Sequence, residues 1–240
     1  MPFQRDRYKT KVRLTNLFVM RHLGYSLADY IELCHWKEDL NLCLNLIHDT
    51  LTEQNKTYLK FKLKGLTHLR DRRTSEEYAL DLILGWIIED AMRDIFNDIL
   101  HLNANLHSAD RNREFLLKPV ASSDFIIIHN DQEWYVEIIS DYTGFWHNYS
   151  VVHLRDDKFL NLKAEGGILL GIDFRNSRFL ILRVNNIESN RVRQIKEHRP
   201  YGRKPAYEMS LKASDFYQIE NFPNILLEEG ITRRLERTVS

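Results

Sequence analysis

Asp124 in Ser122-Ser123-Asp124-Phe125 and Glu137 in Val136-Glu137-Ile138 are the two side chains whose types and spacing best suit chemistry. Phe125-Ile126-Ile127-Ile128 follows the aspartate and Trp134-Tyr135-Val136 precedes the glutamate, with the turn residues Asn130-Asp131-Gln132 between them. Two strands joined by so short a turn lie about 4.8 Å apart, so carboxylates at one edge can share a divalent cation. Magnesium takes hard oxygen ligands, keeps several waters, and is completed by one or two carboxylates and a phosphate. Bound there, it polarises the phosphate, lowers the pKa of a bound water and steadies the leaving oxygen. Glu137 interrupts an apolar run, where a charge is costly unless paired or metal-bound. The same two acids also fit a bland reading, in which Asp124 caps a turn and Glu137 meets solvent on an edge strand.

The elements that must position these acids follow from hydrophobic periodicity, which changes near residue 118 from helical to strand-like. Before it, Leu14, Leu17, Phe18, Leu23, Leu27, Tyr30, Ile31, Cys34, Leu40, Leu44 and Ile47 recur at helical spacing and read as packed helices. Thr74-Ser75-Glu76-Glu77 has the form of a capping box opening a helix to about Leu100. Leu80, Leu84, Ile87, Ile88, Ala91, Ile95 and Ile99 make its apolar stripe, with Glu89 near the edge and Asp90 and Asp94 outside it. After the polar segment 103–113 come the hairpin of Asp124 and Glu137, a short helix over 156–164, and apolar runs at 168–172 and 179–184. Such continuous apolar runs suit central strands covered on both faces. Segment 190–207, basic and carrying Pro200, Gly202 and Pro205, reads as a long loop before a final strand and short helix. The expected fold is α/β (α+β): a central mixed sheet flanked by helices (74–240), with a helical N-terminal region (1–73).

Composition bounds the function classes. The 240 residues are 43% hydrophobic, enough for a sizeable core, and 34 basic residues balance 34 acidic ones. Bulk charge therefore gives no reason to expect a polyanion; distribution gives some. Basic residues cluster at Arg5–Arg13, Lys60–Arg73 and Arg191–Lys204 around an acidic stretch at 76–98, which suits a phosphate-tracking groove as well as ordinary solvated faces. His198-Arg199-Pro200-Tyr201-Gly202-Arg203-Lys204 interleaves aromatic and basic residues, so Arg199, Arg203 and Lys204 are candidate nucleic-acid contacts. Cys34 and Cys43 read as free thiols, and with His35 and His48 they lack zinc-site spacing. The start MPFQRDRYKT has no apolar run of signal-peptide length and no segment is membrane-spanning, so a cytoplasmic, unanchored protein is expected. There is no Walker loop, Gly-x-Ser-x-Gly elbow, His-Glu-x-x-His helix or dinucleotide fingerprint.

Glu89 on a helix, Asp124 after two serines, Glu137 on the next strand, then His153-Leu154-Arg155-Asp156-Asp157-Lys158 opening a helix, follow an order that resembles the PD-(D/E)xK nuclease superfamily. His107-Ser108-Ala109-Asp110-Arg111-Asn112-Arg113 before the aspartate and Ile138 to Trp146 after the glutamate resemble its type II restriction endonucleases. The likeness covers about residues 74–185. It implies a Mg2+-dependent endonuclease acting on double-stranded DNA, with Asp124 and Glu137 binding the metal and Glu89 assisting. It further implies a homodimer on a palindromic site and a cognate DNA methyltransferase. The family's lysine, two residues after the second acid, is Ile139 in this chain. The likeness therefore leaves the amine to Lys158 or Lys163 on the next helix, or implies lost activity. Two other classes stay open: a non-catalytic DNA-binding or assembly module on a decayed nuclease fold, and a helical interaction protein without nucleic acid.

Overall fold

The computed structural model describes residues 5–24, 75–107, 122–129, 131–201 and 203–218. The readings placed on residues 25–73, on Cys34, Cys43, His35 and His48, on Thr74, and on Asp110 to Arg113 lie outside these residues. The chain forms two compact units, residues 1–94 with 109–120 and residues 95–108 with 121–240.

In the first unit α1 (Arg5–Leu23) buries Val12, Thr15, Phe18 and Val19, spaced to share one helical face. α2 (Ser75–Asp94) buries Leu84, Ile87, Ile88 and Ala91, as its stripe requires, and the Lys11 ammonium pairs with the Asp81 carboxylate. Asp90 departs from the expectation. At 2% exposure it is buried beside the stripe, with Arg93 one turn on at 3.6 Å, because α2 is covered on more than its apolar face.

The second unit holds the expected mixed sheet. A π-helical turn (Ile95–Ile99) leads to β1 (Asn103–Leu106), within the segment read as merely polar; β2 (Phe125–His129) and β3 (Gln132–Asp141) form the expected hairpin. Then come α3 (Phe145–Tyr149), β4 (Val151–Arg155), α4 (Asp156–Ala164), β5 (Ile168–Asp173) and β6 (Arg178–Arg183). β7 (Val192–His198), β8 (Lys204–Ser210) and β9 (Phe216–Gln218) complete the described chain. The larger sheet runs β1-β2-β3-β5-β6-β9, antiparallel except for the central pair β3 and β5. A parallel pair needs a crossover, and the segment bearing α3, β4 and α4 supplies it.

The smaller sheet, β4-β8-β7, replaces the long loop read over 190–207. The reading failed because β7 is an edge strand whose residues mostly face water, so it lacks the apolar alternation that marks a strand. Pro205 adds a misleading breaker; it falls where the β7–β8 register slips between Ile195 and His198, so its missing N–H costs no ladder bond there. Between the sheets lie Val152, Leu154, Phe159, Leu162, Leu169, Leu180, Leu182 and Met209, joined by Trp146. Each large apolar side chain buried there contributes roughly 1.5–3 kcal/mol. Gly171 is required at its position because any β-carbon would stand 2.7 Å from the Trp146 ring.

Candidate active site

The β2–β3 hairpin sets the two acids side by side. Phe125 faces Val136, and the preceding Asp124 bulges from the ladder, its N–H donating to the same Val136 carbonyl at 3.0 Å, which brings it beside Glu137. The Asp124 carboxylate accepts a second strand bond, from the Ile138 N–H to Oδ2 at 2.7 Å, which fixes its orientation. Both acids are buried, at 6% exposure each.

On β3 Glu137 shares its face with Tyr135 and Ile139, which pack on the core between the sheets. α4 lies on that same face, anchored by Phe159 and Leu162, three residues apart and each 2% exposed. Lys158, in the first turn of α4, is thereby held over the acids. Its Nζ donates to Glu137 Oε2 at 2.7 Å and to the Ser122 carbonyl at 2.7 Å, and lies 3.6 Å from Asp124 Oδ1. An ammonium from the crossover helix thus stands beside the acids, and Ile139 packs on the core.

Burial and the neighbouring Asp124 charge raise the Glu137 carboxyl to about 8, with Lys158 pulling it back down. Two acids and one ammonium, all charged, sum to one negative charge, with the Arg155 charge also acting on Glu137, in a site of low exposure. That donor set fits a hard divalent cation completed by water and a phosphate oxygen. Among the described residues no cluster of three or more His, Cys, Asp or Glu side chains is placed to hold a metal. Asp124 and Glu137 are the acids that could do so as a pair.

Arg155 and Tyr201 of the second unit act on the pair electrostatically. Arg155, at the end of β4, forms a bidentate bond to Asp157 at 3.0 and 2.7 Å, and its charge acts on Glu137. Tyr201 donates to the His153 carbonyl at 2.9 Å, and burial pushes its hydroxyl up to about 12. Burial raises the Glu165 carboxyl, while His107 and Lys158 act in the other direction. Glu89 is a buried carboxylate on α2 in the first unit. Lys163 lies in the last turn of α4, 6.0 Å from the Phe159 ring, and Arg199, Arg203 and Lys204 are exposed around the β7–β8 connection. Tyr142 and Trp146 pack: Tyr142 stacks on Phe174 at 4.4 Å and Trp146 fills the core. The placing of Arg155 and Tyr201 has no sequence signal, since one comes from the end of β4 and the other from the turn after β7.

No protein-family model and no curated protein matches the chain. The chain is similar to one solved structure, described as "Structure of D212, a nuclease from a fusselovirus", at 13% identity over 61% of this chain and 88% of that one, with a TM-score of 0.34. A likeness of that size carries no functional argument. No helix among the described residues is long and apolar enough to cross a membrane.

Proposed function

We propose that this chain is a Mg2+-dependent endonuclease that hydrolyses phosphodiester bonds of double-stranded DNA at Asp124, Glu137 and Lys158. One observation carries the reading: a lysine from a crossover helix reaches a pair of buried carboxylates brought together by one hairpin, 2.7 Å from one and 3.6 Å from the other. Burying such a trio costs several kcal/mol of desolvation per ion, which a purely structural pair seldom recovers. Asp124 and Glu137 would hold the cation, while an assisting part for Glu89 draws its support from the sequence resemblance alone. Bound there, the ion would neutralise the scissile phosphate and lower the pKa of an attacking water.

The protein's own part is positional and electrostatic. The Ile138 N–H keeps the Asp124 carboxylate aimed across the strands, and the Ser122 carbonyl holds the Lys158 ammonium above both acids. From there Lys158 can orient a water and stabilise negative charge gathering on the phosphate. Arg199, Arg203 and Lys204 would grip the duplex backbone. The finer reading, a type II restriction enzyme acting as a homodimer with a cognate methyltransferase, draws its support from the sequence resemblance.

The test is cleavage of supercoiled plasmid and of a duplex library with Mg2+ and with EDTA. Cutting should require the metal and fall by at least about a hundredfold in Asp124→Ala and Glu137→Ala, the scale of losing an electrostatic catalytic group. Undiminished cutting by either variant removes the site. Salt-dependent duplex binding without cleavage under any divalent ion would return the chain to the non-catalytic DNA-binding reading.

A further inference from the structure

The hairpin that carries the two acids is joined by one more strand. Leu106 of β1 faces Phe125 of β2, and the next pair in that register is His107 with Asp124, whose carbonyl accepts from the His107 N–H at 2.9 Å. On its other side the Asp124 N–H donates at 3.0 Å to the carbonyl of Val136, the residue that Phe125 faces, so the chain bulges at Asp124 and sets it beside Val136 and Glu137. The imidazole also lies edge-on to Tyr135, which precedes Glu137 on one face of β3, with ring centroids 6.1 Å apart.

The surroundings of these residues differ. Glu137 is buried under α4, whereas His107 is exposed. The ring is not free to turn, because Nδ1 lies 3.1 Å from the hydroxyl oxygen of Ser123, a side chain only 3% exposed. Ser122 and Asp124, on either side of Ser123, already belong to the site through Lys158 and Ile138.

Resting on the nuclease reading, we propose that His107 is a substrate-contacting residue: Ser123 donates its hydroxyl hydrogen to Nδ1, and Nε2–H donates a hydrogen bond to a phosphate oxygen of the bound strand. Fixing one ring nitrogen by a neighbour dictates which nitrogen carries the hydrogen. The hairpin and β1 then read as a track. His107 holds the backbone at the exposed end, and Asp124, Glu137 and Lys158 act at the buried end. Ser123 is a positioning residue, acting only through His107.

The test uses the full chain with a short duplex, measuring anisotropy in Ca2+ and single-turnover cleavage in Mg2+. His107→Ala should weaken affinity or kcat/KM by about tenfold, the worth of one hydrogen bond to a charged group. His107→Gln, whose amide nitrogen sits near the place of Nε2, should stay within about threefold of wild type by the same measure. Ser123→Ala should lose less than His107→Ala and nothing further in the double variant, as expected for two residues acting as one unit. Equal losses in the Gln and Ala variants, or wild-type behaviour of His107→Ala, overturn the proposal while leaving the nuclease reading intact. Absence of both cleavage and duplex binding by the wild-type chain overturns the two together.

Discussion

Replacing Lys158 by methionine separates the site's electrostatics from its packing, since methionine keeps an unbranched apolar stem and removes the ammonium. The bonds lost are a charge-assisted one to Glu137 at 2.7 Å and one to the Ser122 carbonyl at 2.7 Å, plus attraction to Asp124 at 3.6 Å. Removing one partner of a buried ion pair typically costs about 3–5 kcal/mol. Here the Glu137 carboxyl already stands near 8, so at pH 7 the variant can keep it protonated and escape part of that penalty. A loss of about 2–3 kcal/mol remains, close to that of one hydrogen bond to a charged group with its desolvated partner. At about 2–4 °C per kcal/mol for a chain of this size, Tm in EDTA should fall by roughly 4–12 °C. Added Mg2+ should then raise Tm more in the variant than in wild type, because the cation no longer competes with the ammonium for the same carboxylates. Cleavage should drop by at least about a hundredfold. Calorimetry or a thermal-shift assay in EDTA with a Mg2+ titration reads the first two effects. A variant with wild-type Tm, wild-type Mg2+ response and wild-type cutting would refute the assignment of Lys158.

The remaining expectations concern pH, the DNA grip and the core. Glu137 is raised from 4.5 to about 8, so the metal-free native state binds more protons than the unfolded one in that window. This group's contribution is therefore fully present below about 4.5 and lost as pH climbs through about 8, and in EDTA Glu137→Gln should be more stable than wild type at pH 8.5; denaturant melts across pH that show the reverse order would contradict the burial argument. Replacing Arg199, Arg203 and Lys204 together by alanine should lower the salt dependence of duplex binding by up to about 2.7 in log–log slope, about 0.9 per phosphate contact. An unchanged slope in filter-binding titrations would place the duplex elsewhere. Gly171→Ala sets a methyl group 2.7 Å from the Trp146 ring and should cost about 1–3 kcal/mol, read as a lowered midpoint in urea. An unaffected midpoint would mean that Trp146 yields more readily than its burial suggests.

Much of the second unit was legible in the chain because its strongest signals are local. Hairpin β2–β3, helix α4 and strands β5 and β6 stand close to where their patterns place them, since Phe125-Ile126-Ile127-Ile128 and Ile168-Leu169-Leu170 leave little alternative to buried strands. The adjacency of Asp124 and Glu137 followed from the same locality, a hairpin being the shortest-range device that brings two side chains together. β1, β4, β7 and β8 were missed or read as loop, each for a physical reason. β1 is four residues long, and β7 is an exposed edge strand whose polar residues satisfy solvent rather than a core.

What sequence alone decided, then, was chemistry by type: two acids on one hairpin, an isoleucine where an amine would be expected, and a choice between lysines on the following helix. Tertiary structure decided which lysine. The parallel pairing of β3 with β5 forces a crossover, and the anchoring of Phe159 and Leu162 turns the first turn of α4 toward Glu137, so Lys158 reaches the acids while Lys163 lies beside Phe159. The placing of His107 beside Asp124 is likewise a matter of strand register: His107 and Ser123, 16 positions apart, meet across β1 and β2, and no periodicity within a single strand encodes such an alignment.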